Sequence, residues 1–173
     1  MSVLAANDRR EIEVHSYPLL VYALVPLVAL VLQAWLPRLV GPYVWFDLPL
    51  VVTVYFALSR RNPLQGMLLG AGLGLFEDAL SHHAIGVNGI AKTVAGFLCA
   101  SIGVRIDVEN HTIRVLLTFL LSLLCSGIYL FIYRVLLGMD MEWRGFTELF
   151  VAIGNGLLAF LVFPLLDRAQ ISE

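Results

Sequence analysis

Long apolar segments separated by short polar ones run through almost the whole chain, and they constrain its fold more than any other feature. A membrane-spanning helix needs about 20 predominantly apolar residues. In lipid the backbone polar groups must be satisfied within the protein, which favours helices. Of the 173 residues, 60% are hydrophobic and only 14% are charged, whereas typical soluble domains are about a quarter charged. The sequence therefore predicts an all-α integral membrane protein.

Prolines, glycines and charged residues divide the apolar sequence into six predicted transmembrane helices. We place these helices at about 17–36, 47–59, 64–80, 87–104, 112–137 and 148–166. Pro37, Gly41 and Pro42 are expected to end the first helix. Pro49 suits the first turn of the second.

The positions of arginine and lysine predict how the helices are oriented. Six spans place both ends of the chain on one side of the membrane. If that side is the cytoplasm, seven basic residues flank cytoplasmic ends and four lie towards the other side, in agreement with the positive-inside rule. We therefore predict a polar cytoplasmic tail at 1–16, one six-helix transmembrane domain at 17–168 and a short C-terminal tail at 169–173.

Small residues on the third and last predicted helices indicate close helix packing. Four residues spaced four apart lie on one face of the third helix: Gly66, Gly70, Gly74 and Asp78. Such a row lets a second helix approach closely, which fits packing within the chain and also fits a homodimer. In the last helix Asn155 and Gly156 predict another close contact, with Asn155 hydrogen-bonded to a neighbouring helix.

Four charged residues lie inside the predicted spans, towards the end that we place outside: Glu77, Asp78, Lys92 and Arg134. A charged side chain in lipid is costly, so we expect this charge cluster to face protein. A turn at 81–86 brings Asp78 and Lys92 to similar depth, roughly 9–12 Å from its tip at 1.5 Å per residue. We expect these two to form an ion pair that fixes the helix register, with Arg134 as the rival partner of Asp78.

The sequence contains no pattern typical of an enzyme, a metal site or a nucleic-acid-binding protein. The net charge is −2, and no basic run indicates nucleic-acid binding. Cys99 and Cys125 lie in apolar runs without a CxxC motif. Catalytic triads, phosphate-binding loops and metal-ligand spacings are missing. We therefore expect no catalytic activity, metal or cofactor.

The segment 47–103 and the last helix carry the residues by which the chain resembles the rod shape-determining protein MreD family. That family has a proline-led second span ending in basic residues, then spaced glycines leading to Leu-x-x-Asp, and then a turn glycine. The matching residues here are Pro49, Tyr55, Arg60, Arg61, Gly66, Gly70, Gly74, Leu75, Asp78 and Gly86, followed in the last helix by Asn155, Gly156, Pro164 and Arg168. Glu77 departs from the family, which usually has an apolar residue there, so which of Glu77 and Asp78 has the family role stays open.

The resemblance implies a non-catalytic component of the bacterial elongation machinery, in the cytoplasmic (inner) membrane with both termini cytoplasmic. Members of the family bind the bitopic protein MreC. The complex works with RodA, the elongation transpeptidase and the MreB filament to direct lateral peptidoglycan synthesis and cell shape.

The family is also similar in fold to the substrate-binding subunits of energy-coupling-factor transporters. This similarity supplies an alternative function, a membrane subunit that binds a small molecule such as a vitamin. The alternative predicts a polar, aromatic-lined outer pocket, and the residues that can contribute to it are Tyr43, Trp45, His82, His83 and Trp143.

Overall fold

The computed structural model describes residues 19–40, 46–81, 84–105, 110–139 and 145–168. Within these ranges the chain forms six helices and no strand, which confirms the all-α prediction. The helices are α1 (Leu19–Val40), α2 (Leu48–Arg60), α3 (Pro63–Ser81), α4 (Val87–Gly103), α5 (His111–Phe131) and α6 (Gly145–Asp167), and a π-helical segment (Ile132–Leu136) extends α5. The predicted tails at 1–16 and 169–173 lie outside the described residues.

Three stretches of the described helices are long and apolar enough to cross a membrane. These stretches are Leu20–Arg38, His111–Leu136 and Gly145–Asp167. Helices α2 and α4 are apolar but shorter. Many large apolar side chains are exposed on the bundle surface, for example Leu68, Phe146 and Leu161, as expected where lipid replaces water as the solvent.

Helix α2 is the centre of the bundle and packs against each of the other five helices. Every residue from Pro49 to Ser59 is buried. A helix covered on all sides needs no polar face, which explains why its sequence is mostly apolar, with several β-branched residues. The prediction placed this helix correctly to within a residue or two at each end.

The α3–α4 hairpin is the closest helix contact in the bundle. Gly66, Gly70 and Gly74 all face the backbone of α4, and a Cβ atom added at any of them would lie less than 3.0 Å from a backbone atom of that helix. Real Cβ atoms essentially never come so near. The predicted glycine face therefore packs within the chain, against α4.

Helix α1 is longer than its sequence pattern suggested. Pro37 was expected to end it near residue 36, and that prediction is wrong, because the helix continues through Pro37 to Val40. Proline removes one intrahelical hydrogen bond, a loss that transmembrane helices tolerate when nearby groups or a local adjustment satisfy the carbonyl.

A polar contact joins α2, α5 and α6 at the end of the bundle opposite the α3–α4 turn. Arg114 on α5 pairs with both carboxylate oxygens of Asp167 on α6, at 2.7 and 3.1 Å. The Tyr55 hydroxyl of α2 donates to the same carboxylate at 2.9 Å. The guanidinium carbon of Arg114 lies 4.8 Å from the ring centroid of Phe163. This cluster fixes the second half of the central helix against α5 and α6.

Candidate functional site: a buried charge cluster beside a polar cavity

Asp47 begins the central helix and is held by two other helices. Its Oδ1 accepts a hydrogen bond from the Leu50 N–H at 2.9 Å, as an N-cap residue does. Its own N–H donates to Asn155 Oδ1 on α6 at 2.6 Å. Gln33 on α1 accepts from the Leu48 N–H at 3.0 Å. Side chains of α1 and α6 therefore position the first turn of α2.

Lys92 connects this N-terminus to the α3–α4 hairpin. Its Nζ lies 2.7 Å from Asp47 Oδ2 and also pairs with Glu77 Oε2. The Lys92 side chain is only 1% exposed. Helical Cα–Cβ bonds tilt towards the N-terminus, so on α4 this side chain extends towards the end of the bundle where both carboxylates lie. One cation therefore joins α2, α3 and α4.

Asp78 is fully buried but has a different set of partners. Its carboxylate accepts hydrogen bonds from the N–H groups of Gly86, Asn88 and Gly89, at 2.8, 3.1 and 3.4 Å. The Asn88 side-chain amide donates to it at 2.9 Å. A carboxylate at the N-terminus of a helix satisfies free N–H groups and interacts favourably with the helix dipole. Asp78 of α3 is thus the N-terminal cap of α4.

The predicted Asp78–Lys92 ion pair is therefore wrong, and the partner of Lys92 on α3 is Glu77. Adjacent residues on a helix project about 100° apart. Asp78, in line with the glycines, meets the first turn of α4, whereas Glu77 meets Lys92 beside Asp47. Arg134, the rival partner in the prediction, lies on the π-helical segment with an exposed side chain.

Asn155 and Gly156 differ in what they contribute. Asn155 is fully buried and hydrogen-bonds across helices as predicted, accepting from Asp47 and donating to Ser122 Oγ on α5 at 2.7 Å. Gly156 faces α5, where an added Cβ would lie 3.8 Å from atoms of Val115 and Phe119. That distance is ordinary contact, so the space at Gly156 does not require glycine.

A cavity of about 210 Å³ lies beside the Lys92–Asp47 ion pair, between α2, α4, α5 and α6. Its polar lining includes two carboxylates, those of Asp47 and Glu148, and the Ser126 hydroxyl donates to Glu148 Oε2 at 2.7 Å. The full lining is Asp47, Leu50, Asn88, Ser122, Cys125, Ser126, Tyr129, Leu130, Glu148 and Val151. The five residues predicted for an outer pocket, Tyr43, Trp45, His82, His83 and Trp143, lie outside the described residues.

Sequence reasoning missed Asp47, Ser122 and Glu148 as members of this site. For Asp47 a signal was present, since an aspartate two residues before a proline is typical of a helix N-terminus. Ser122 and Glu148 carry no such signal, because their role depends on how α5 and α6 pack. In the described ranges, no group of three or more His, Cys, Asp or Glu side chains is placed to hold a metal ion.

The helices and the site define a class, namely an all-helical membrane protein whose buried polar groups connect helices around a small polar cavity. The chain belongs to the MreD family, since the family model described as rod shape-determining protein MreD matches residues 14–169. Searches among curated proteins and among solved structures found no match. The predicted family is confirmed, and it makes the chain a rod shape-determining membrane protein. The six spans and the likeness to energy-coupling-factor subunits stay predictions.

Proposed function

We propose that this protein is a non-catalytic inner-membrane component of the elongation machinery that binds MreC and helps direct lateral peptidoglycan synthesis. The observation that carries the proposal is the family match over residues 14–169. RodA, the elongation transpeptidase and the MreB filament are proposed as partners through that complex. The internal contacts of Lys92, Asp78 and Asn155 support a structural role, because each of these polar groups bonds to residues of another helix.

Co-purification with the MreC-like protein of the same organism tests this function. We expect the tagged full chain to retain MreC through size-exclusion chromatography in mild detergent. A matched variant, Glu148→Gln, changes a cavity carboxylate without touching the outer apolar surface, and we expect it to retain MreC equally. Failure of the wild-type chain to retain MreC, in detergent and in nanodiscs, would contradict the proposal.

A second candidate function, binding of a small molecule, is favoured by the polar cavity between α2, α4, α5 and α6. Its volume of about 210 Å³ is below the roughly 300–1,000 Å³ typical of ligand pockets. A panel of water-soluble vitamins, tested by thermal shift on wild type and on Glu148→Gln, decides between the two functions. Stabilisation that disappears in Glu148→Gln, together with no retention of MreC, would make the transporter-subunit function the better account.

We also propose that all six helices cross the membrane, with both termini cytoplasmic. Short links join α2 to α3 and α3 to α4, so Asn62 and Ile85 lie at opposite ends of α3. Both residues are exposed, and each can be replaced by cysteine in a Cys99→Ala/Cys125→Ala background. We expect an impermeant maleimide to label Ile85→Cys in intact cells and Asn62→Cys only after permeabilisation. Labelling of both in intact cells would contradict the crossing of α3, and the reverse pattern would invert the orientation.

A further inference from the structure

A second cavity opens between α1, α2 and α3, at the end of the bundle where α2 joins α3. Its volume is about 440 Å³. The residues that line it are Tyr22, Phe56, Ala57, Arg60, Gln65, Gly66, Leu68 and Leu69. Leu68 is 66% exposed, so this cleft opens on the bundle surface.

The polar groups of the cleft lie at one end, and its interior is apolar. Arg60 and Gln65 are near the α2–α3 link, whereas Phe56 and Leu69 lie one helical turn further in. A ligand that fits this arrangement has a polar or charged head joined to an apolar chain. Phospholipids have this chemistry and surround the protein in a membrane.

The guanidinium of Arg60 is fixed in position but has donors to spare. Its Nε donates to the Tyr22 hydroxyl at 2.6 Å, and its carbon lies 4.4 Å from the centroid of the same ring. Both contacts are with Tyr22, which is neutral, so they leave the positive charge of Arg60 unpaired. In the described part of the chain, the ion pairs join Lys92 to Asp47 and Glu77, and Arg114 to Asp167, so no described carboxylate neutralises Arg60.

Arg61 follows Arg60 directly in the chain, at the link between α2 and α3. It ends α2 in a left-handed conformation, at φ 50°, and its Nε is buried without a hydrogen-bond partner among the described residues. A buried donor without a partner is unfavourable. Guanidinium groups bind phosphate through paired hydrogen bonds. The guanidinium of Arg60, which lines a mostly apolar cleft, is complementary to a negatively charged phosphate.

We propose that this cleft binds one anionic phospholipid, with its phosphate on Arg60 and an acyl chain between Phe56 and Leu69. The negative charge is required because no described acidic side chain pairs with Arg60. The apolar wall is required because a free phosphate would leave most of the cleft unfilled. This site is separate from the polar cavity and does not depend on MreC binding.

Native mass spectrometry of the purified full chain with added phosphatidylglycerol or phosphatidylcholine tests the proposal. We expect phosphatidylglycerol to be retained at least fivefold more than phosphatidylcholine, and Arg60→Gln to remove that preference. Arg105→Gln is the matched control, since this exposed arginine follows α4 at the same end of the bundle and is outside the cleft. It should keep the preference.

A second variant separates binding from folding. Gln65 is exposed at the mouth of the cleft, so Gln65→Glu should leave the melting temperature without lipid unchanged while repelling the phosphate. We expect it to lower phosphatidylglycerol retention at least threefold. Equal retention of the two lipids would overturn the proposal. So would displacement of phosphatidylglycerol by glycerol phosphate as effectively as by free phosphatidylglycerol. So would exclusion of phosphatidylglycerol by co-purified MreC, because a partner helix would then be the occupant.

Discussion

Replacing Lys92 with methionine should lower the free energy of unfolding by about 3–5 kcal/mol, the usual result of removing one partner of a buried ion pair. Lys92 is 1% exposed and pairs with Asp47 and Glu77. Without its charge, two carboxylates would face each other in a largely buried site. The measurement is denaturant or thermal unfolding of the purified protein in one detergent, with wild type alongside.

A double-mutant cycle identifies the partner of Lys92. Glu77→Gln combined with Lys92→Met should recover part of the loss, and adding Asp47→Asn should recover more, because asparagine keeps the N-cap function. Asp78→Asn is the matched control, since Asp78 bonds to N–H groups of α4, and its effect should add to that of Lys92→Met. Strong coupling of Lys92 to Asp78, with none to Glu77, would contradict the observed pairing.

Gly70→Ala should destabilise the protein by about 3 kcal/mol, at the upper end of what overpacking usually costs. The added methyl group would lie less than 3.0 Å from the carbonyl carbon and oxygen of Lys92. A backbone obstacle cannot rotate away, so α3 and α4 must separate. The same shift would disturb the Lys92 ion pairs. The melting temperature in detergent and the yield of monodisperse protein measure the effect.

Gly72 supplies the control for this substitution on the same helix. An alanine Cβ there meets nothing within 4 Å, so Gly72→Ala should be neutral or should stabilise α3 by up to about 1 kcal/mol, the difference in helix propensity. Leucine at the two positions should widen the contrast. Equal losses at positions 70 and 72 would show that the α3–α4 contact is not what makes glycine necessary.

The α3–α4 hairpin could be predicted in detail because its signals are local. Glycines four residues apart must lie on one helix face, and the residues around Gly86 mark the turn. The choice between Glu77 and Asp78 could not be predicted in the same way. It depends on α2, whose Asp47 lies beside Lys92 although the two are far apart in sequence. The sequence of the α3–α4 hairpin does not contain this third helix.

The contacts between distant segments were the least predictable part of the fold. Arg114 and Asp167 are 53 residues apart, and nothing near either one indicates that they pair. Pro37 shows the opposite problem, a strong local signal overridden in a membrane helix. The apolar pattern gives the helices, but the rotation of each helix about its axis depends on packing with all of its neighbours.

The central position of α2 bears on how this protein fits bilayers of different thickness. With 13 residues, α2 is about 20 Å long, whereas the hydrocarbon core of a bilayer is about 30 Å thick. Since α2 is covered by protein along Pro49–Ser59, its short length is not exposed to the surrounding lipid. The longer stretches Leu20–Arg38, His111–Leu136 and Gly145–Asp167 are long and apolar enough to match the hydrocarbon core. Because Gln33 and Asn155 hold α1 and α6 to the first turn of α2, we expect the bundle to adapt to a thinner or thicker membrane by tilting as a unit, while Asp47 and Lys92 keep their contact inside.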